Sequence, residues 1–155
     1  MFKKVVVLSA TLFLAACSAP KYAVEPIQES KQTKEITIIK DDATRAIFLD
    51  TMQEWCLDNA KRCKLVPDGT HPKSSELTLM YVSRWSWDLS SYIADSRINA
   101  YKDELKVGKV EFKAPNTLNS DKWGDDRKRI LMMLDLLFGK KNTTEAQSKI
   151  ESGEI

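Results

Sequence analysis

The chain has 155 residues, with 24 Lys and Arg, 22 Asp and Glu, and one His. This length fits one globular domain of moderate size and argues against a multidomain enzyme. The apolar content of 43%, with only five Gly and five Pro, excludes a wholly disordered or collagen-like chain. The formal net charge of +2 lacks the basic excess that is typical of a nucleic-acid-binding protein.

The first sixteen residues have the pattern of a secretory signal peptide. Lys3 and Lys4 precede an apolar run from Val5 to Leu14, and this order is typical of an export signal. The run is about ten residues long, whereas a membrane-spanning helix needs about 20. We therefore expect the leader to direct export without forming a transmembrane anchor.

The leader ends in Leu14-Ala15-Ala16-Cys17. This stretch resembles the lipobox of bacterial lipoproteins, which implies cleavage before Cys17, a diacylglycerol on its thiol and an acyl chain on its new amine. Each buried methylene contributes about 0.8 kcal/mol, so three chains would hold the protein firmly at a membrane. The alternative is an ordinary signal peptide, in which Cys17 is only a small apolar residue.

The family's sorting rules keep proteins with Asp after the cysteine in the inner membrane. Ser18 at this position therefore implies the outer membrane of a Gram-negative envelope, facing the periplasm.

Composition divides the chain into four regions. Residues 1–16 form the signal peptide, and residues 17–34, which contain Pro, Gln, Lys and Glu and few apolar side chains, form a lipidated flexible tether. Residues 35–140 form the globular domain, and the polar residues 141–155 form a disordered tail. A flexible tether of about 17 residues has a root-mean-square reach of roughly 20 to 25 Å. Such a tether would let the domain move off the lipid headgroups.

The first elements of the domain are predicted from hydrophobic periodicity. The β-branched run in residues 35–40 predicts a buried strand, and apolar residues at helical spacing predict an amphipathic helix over about residues 43–60. Residues 63–66 then form a short strand, and Pro67-Asp68-Gly69 forms a turn. The stripe of the helix is interpreted as core, with a partner-binding face as the alternative; it comprises Phe48, Met52, Trp55 and Asn59, with Ala46, Leu49, Cys56 and Ala60 beside them.

Alternation with period two predicts three further strands, over Leu77–Trp87, about 91–101 and about 107–112, which form an antiparallel meander. Gly108 marks a bulge or a close approach of another segment. A last helix is predicted from Asn119-Ser120-Asp121 to Phe138, with Gly139 as its C-cap.

This order of elements predicts an α+β domain. The sheet is expected to be mixed, mainly antiparallel and built of about five strands, with two helices packed on one face. On element order, the domain resembles the small α/β domains of periplasmic lipoproteins of the LpoB type and the TolB N-terminal type.

Cys56 and Cys63 are the cysteines that remain once Cys17 carries lipid. Export places them in an oxidising compartment, which predicts a disulfide between them. Closing a loop of about eight residues would stabilise the fold by roughly 2.5 kcal/mol. The alternatives are free thiols or a metal site with His71, but the spacing is unlike that of zinc sites.

The residues that could carry catalysis do not form a recognisable arrangement. His71, the single histidine, lies in a Thr-His-Pro stretch typical of an exposed loop. Adjacent acids occur where turns and helix starts are predicted, at positions 41–42, 103–104 and 125–126, and have ordinary capping roles there. Phosphate-binding loops, nucleophile elbows and HExxH motifs are missing from the sequence. We therefore expect a non-enzymatic protein without a metal or cofactor.

The stretch Arg84-Trp85-Ser86-Trp87-Asp88 is the best candidate for contact with a partner. Both tryptophans point to the same side of a strand, so they are either buried together beneath a helix or displayed together as a binding hot spot. We favour burial, because the same face carries Leu77, Leu79 and Tyr81. A basic group of Lys122, Arg127, Lys128 and Arg129 is interpreted as a solvated face, with contact to acidic headgroups or peptidoglycan as the alternative.

These observations predict a non-enzymatic lipoprotein that binds another envelope component, a protein or peptidoglycan, in assembly or maintenance. A periplasmic inhibitor or immunity lipoprotein, which neutralises an enzyme or toxin, is the alternative. Tryptophans exposed at a rim of the sheet would favour assembly binding. A concave acidic or polar loop patch would favour inhibition, and a pocket joining His71 to a carboxylate would favour an enzyme.

Overall fold

The computed structural model describes residues 19–73, 75–115 and 119–155, so the leader and Cys17 lie outside the described residues. Six strands form one sheet in the order β1-β6-β5-β4-β2-β3. The strands are β1 (Lys21–Glu25), β2 (Glu35–Ile39), β3 (Arg62–Val66), β4 (Leu77–Asp88), β5 (Ser90–Lys102) and β6 (Leu105–Lys113); the helices are α1 (Ala46–Asp58), α2 (Asp126–Leu137) and α3 (Thr143–Glu151), with short 3-10 turns at Glu29–Lys31 and Ser120–Trp123.

The fold is α+β with a mixed sheet, as the sequence predicts, but the described residues form six strands and three helices. β2 is parallel to both β3 and β4, while β4, β5 and β6 form the predicted antiparallel meander. Leu77, Leu79 and Tyr81 of β4 belong to the core cluster, whereas the residues between them do not. This alternation gives the sheet a face packed against helices α1 and α2 and an open face on the other side.

The connection between β3 and β4 crosses the open face at β2. Thr37 and Ile39 point away from α1, yet both are buried, and the Thr37 hydroxyl donates to the Glu76 carboxylate at 2.5 Å. Gly69, at φ +76°, and the bond from Thr70 N to Pro67 O at 3.3 Å form the predicted turn at the start of this connection. The connection from β2 to β3, which contains α1, and the connection from β3 to β4 run in opposite directions across the sheet. Because such crossovers are right-handed, the two connections lie on opposite faces.

The additional strand and the additional helix lie in the two segments expected to be flexible. β1 pairs with β6 along its whole length, with Tyr22 and Val24 against the core cluster, so residues 21–25 do not belong to a free tether. The predicted tail is corrected by α3, because Ala146 and Ile150 are buried there. A reciprocal pair of bonds between Asn142 and Glu145 caps this helix, at 2.9 and 3.0 Å.

The last predicted helix is shorter than expected. Asn119 caps the 3-10 turn Ser120–Trp123, and the chain then breaks before Asp125 caps α2 through the backbone N–H of Lys128 at 3.0 Å. The interruption is at Gly124, where only a glycine fits, since a Cβ there would lie 2.3 Å from a guanidinium nitrogen of Arg129. The predicted C-cap is present, with Gly139 at φ +68°.

Gly108 has both features predicted for it. The register between β5 and β6 shifts next to it, at Ala100/Tyr101, which is the mark of a bulge. A Cβ at Gly108 would lie 2.6 Å from Cγ1 of Ile27 and 3.2 Å from the backbone oxygen of Glu25. The residue is therefore a glycine because the chain that links β1 to β2 passes directly over it.

Candidate functional site

The β4–β5 hairpin extends beyond the rest of the sheet. β2 pairs with β4 only as far as Met80, and β6 pairs with β5 only as far as Asp95. Beyond Arg84, the described strands pair β4 and β5 only with each other, and one further backbone bond, from Ala114 N to Ala94 O at 2.9 Å, holds the base of the hairpin. We call residues 85–94 the arm. The arm turns at a single residue, Leu89, whose φ of +61° lies in the left-handed region.

The two tryptophans of the arm differ in exposure. Trp85 is half-buried and packs against the core cluster, and the guanidinium of Arg45 lies 4.6 Å from its ring centroid. Arg45 also donates to the Ser91 hydroxyl at 2.7 Å, which joins the start of α1 to the arm. Trp87 is 73% exposed. The expectation that both rings are buried is therefore wrong for Trp87, because α1 begins level with Trp85 and does not cover the end of the arm.

The 3-10 turn Ser120–Trp123, which we call the brace, holds the arm from the side of β6. The Trp123 indole N–H donates to the backbone oxygen of Asp88 at 2.8 Å, and the Lys122 ammonium pairs with the Asp88 carboxylate. Lys122 is only 2% exposed, and its ammonium also lies 5.5 Å from the Tyr92 ring centroid. Lys122 is thus not part of a solvated basic face; it is a fixed support of the arm.

Arg129 holds the brace in place. Its Nη1 donates to the backbone oxygen of Lys122 at 2.8 Å, its Nη2 donates to that of Asp121, and the guanidinium lies 5.0 Å from the Phe112 ring centroid. Arg129 is fully buried, and this burial lowers the pKa of its guanidinium from the usual value. The solvated-face interpretation is therefore also wrong for Arg129, whereas Arg127 is exposed and pairs with Glu54.

α2 contacts the arm directly through Asp126. The Asp126 carboxylate accepts a bond from the backbone N–H of Ile93 at 3.2 Å, next to the bulge at Ala94 where the register of the two strands shifts. Burial raises the pKa of the Asp126 carboxyl above its usual value, and the Ile93 N–H opposes that shift. The arm is therefore fixed to α1, α2 and the brace, although its end is free.

Arg84 lies on the open face, opposite Trp85. Its guanidinium pairs with Asp95 through two contacts, at 3.0 Å from Nε and 2.5 Å from Nη2. Its side chain is nevertheless 78% exposed. The structure thus brings Arg84, Trp85 and Trp87 onto one element but not into one patch, because successive residues of a strand point to opposite faces.

The disulfide between Cys56 and Cys63 is present, with 6.1 Å between the Cα atoms. It joins the last turn of α1 to the start of β3, as expected. A cavity of about 620 Å³ opens beside it, lined by both charge signs, including Glu35, Arg62 and Lys64.

His71 is exposed in the connection between β3 and β4. Of the adjacent acids, Asp125 caps α2 and Asp41 accepts a bond from the Ala43 N–H at 3.2 Å in the turn before α1. Asp103 and Glu104 instead form the turn between β5 and β6, both with positive φ. The described residues contain no group of three or more His, Cys, Asp or Glu side chains placed to hold a metal ion.

The brace and Arg129 were not predicted as parts of a site, because basic side chains after an Asn-Ser-Asp stretch are typical of an exposed helix start. No family model matches the chain, and no curated protein matches it. Within the part of the chain that the structure describes, no helix has both the length and the apolar content needed to cross a bilayer.

Proposed function

We propose that this protein is a lipid-anchored lipoprotein of the outer membrane that faces the periplasm, binds another envelope component and catalyses no reaction. The leader and the Leu-Ala-Ala-Cys stretch support the anchor. A disulfide joining two elements supports an oxidising compartment, since cytosolic thiols are kept reduced.

The observation that carries the binding role is the arm. It is held at three sides, by Arg45, by Asp126 and by the brace, while its end is exposed. A rigid element binds with little loss of conformational entropy, and Trp and Arg are the residues most enriched in binding hot spots. Arg84 and the base of the arm are therefore the surface we assign to the envelope partner, a protein or peptidoglycan, in assembly or maintenance.

An arm that projects from the rim of the sheet, with Arg84 exposed at its base, favours assembly binding over inhibition. An inhibitor of an enzyme or toxin would present a concave acidic or polar loop patch. The cavity beside the disulfide is instead lined by lysine and arginine as well as by glutamate.

Photocrosslinking in intact cells tests the binding role. A photoreactive phenylalanine analogue replaces Arg84, and the matched control carries it at Leu105, an exposed leucine at the opposite end of the sheet. We expect position 84 to capture one envelope protein or a peptidoglycan fragment, identified by mass spectrometry, and position 105 to capture neither. Identical products at both positions, or none at position 84, would contradict the proposal.

The anchor is tested separately by Cys17→Ser. We expect this substitution to abolish incorporation of labelled palmitate, and either to release the protein from membranes or to stall removal of its leader. Unchanged lipid labelling would remove the lipoprotein assignment.

A further inference from the structure

The anchor and the arm leave the domain at the same end of the sheet. In the register of the sheet, Lys21 pairs with Lys113, Lys113 pairs with Asp95, and Asp95 pairs with Arg84. These four residues therefore form one row across the sheet. β1 runs from this row into the sheet, so the chain that precedes Lys21 leaves at this end. β4 runs in the other direction and continues past Arg84 out of the same end.

The two segments reach similar distances. Pro20 is buried and so stays with the domain, and the three residues from it to Cys17 span at most about 11 Å. Leu89 lies five residues beyond Arg84, about 16 Å at the rise of a strand. Sheet twist of about 20 to 25° per strand separates the two directions by roughly 60 to 75°. A membrane surface perpendicular to the bisector of these two directions is therefore within reach of both the end of the arm and a lipid carried by Cys17.

The end of the arm has the chemistry of a membrane contact. We call Trp87, 73% exposed, and Leu89, 81% exposed, the tip. A one-residue turn with φ of +61° is better suited to Gly or Asn than to Leu, so the turn itself does not account for the leucine. Tryptophan is enriched at the level of lipid headgroups, where its ring is partly apolar and its N–H can be hydrated. Lys21 and Lys113, both exposed in the row behind the tip, add positive charge that favours anionic lipids.

We infer that the tip inserts into the interface of the same lipid leaflet that holds the acyl chains of Cys17. The domain is then attached to the membrane at two points, which fixes its orientation and turns Arg84 and the open face sideways, toward the periplasmic partner. This inference rests on the lipid anchor of the proposed function, and it assigns the tip to lipid and the base of the arm to the partner.

The test uses the full lipidated protein in vesicles of phosphatidylethanolamine and phosphatidylglycerol at a ratio of about three to one. Leu89→Cys introduces a free thiol for an environment-sensitive fluorophore, because Cys56 and Cys63 are joined to each other. Leu105→Cys is the matched control, since Leu105 is 67% exposed beside the turn at the other end of β5. Mass spectrometry of each preparation first establishes the acyl chains on Cys17.

We expect the fluorophore at position 89 to shift to shorter wavelength on vesicles and to be quenched several-fold more by lipids with a shallow nitroxide than the fluorophore at position 105. Equal exposure of both positions to an aqueous quencher, on protein that carries its acyl chains, would overturn the inference and leave the anchor intact. A photocrosslinker at position 89 that captures a protein instead of lipid in intact cells would also overturn it, while the binding role would stand. A mass without acyl chains would refute the anchor and this inference together.

Discussion

Substitution of Arg129 by methionine tests whether a buried cation holds the brace. The guanidinium donates to two backbone oxygens, those of Asp121 and Lys122, from a fully buried position. Hydrogen bonds from charged groups contribute about 1.5 to 3 kcal/mol each, and removal of a buried charge recovers part of that loss. We expect Arg129→Met to lower the free energy of unfolding by about 2 to 4 kcal/mol, a large fraction of the 5 to 15 kcal/mol that is typical of a domain.

The matched control is Arg127→Met, two residues earlier on the same helix. Arg127 is half-exposed and pairs with Glu54 at the surface, and such surface pairs contribute about 0 to 1 kcal/mol. Urea unfolding of both variants, in the Cys17→Ser background so that no acyl chain interferes, gives the two free energies. The corresponding shift in melting temperature for Arg129→Met is roughly 5 to 15 °C downward.

Hydrogen exchange gives the second readout for Arg129→Met. Because the brace holds Asp88 through Lys122 and Trp123, its release should speed exchange of the arm amides, residues 85–94, more than that of β2. The free energies of unfolding of Arg129→Met and Arg127→Met are then compared. A difference of less than about 0.5 kcal/mol, within the usual range of surface substitutions, would refute the role of Arg129 as a buried support of the brace.

Two further variants test contacts that lie away from the arm, the Cys56–Cys63 disulfide and the close approach at Gly108. Replacement of Cys56 and Cys63 by Ser should lower the free energy of unfolding by about 2.5 kcal/mol, measured by urea unfolding; an unchanged midpoint under non-reducing conditions would show that the loop closure has no stabilising effect. Gly108→Ala should cost about 1 to 3 kcal/mol through overpacking, because the new Cβ would lie 2.6 Å from Ile27 and 3.1 Å from Leu137. A melting temperature equal to that of the parent protein would contradict this close approach.

Local sequence pattern predicted the elements whose apolar residues repeat with a clear period. The β-branched run of β2, the stripe of α1 and the alternation in β4, β5 and β6 each match the structure within a few residues. The Cys56–Cys63 disulfide was predicted from the redox chemistry of export. β1 was missed because it is only five residues long, and α3 because only two of its nine residues are apolar. Their signals were present, however, as the alternation of Tyr22 and Val24 and as the Asn-x-x-Glu capping box at residues 142–145.

The sequence by itself determined the export pattern, the α+β class and the side of the strand to which each residue points. Only the tertiary structure decided which of those side chains are covered. Trp85 and Trp87 share one side of β4, yet the cover of α1 reaches only the first of them. Arg127 and Arg129 both lie on α2, but only Arg129 meets the backbone oxygens of the brace. Burial depends on which distant segment packs over a residue, and that is a property of the assembled fold and not of local periodicity.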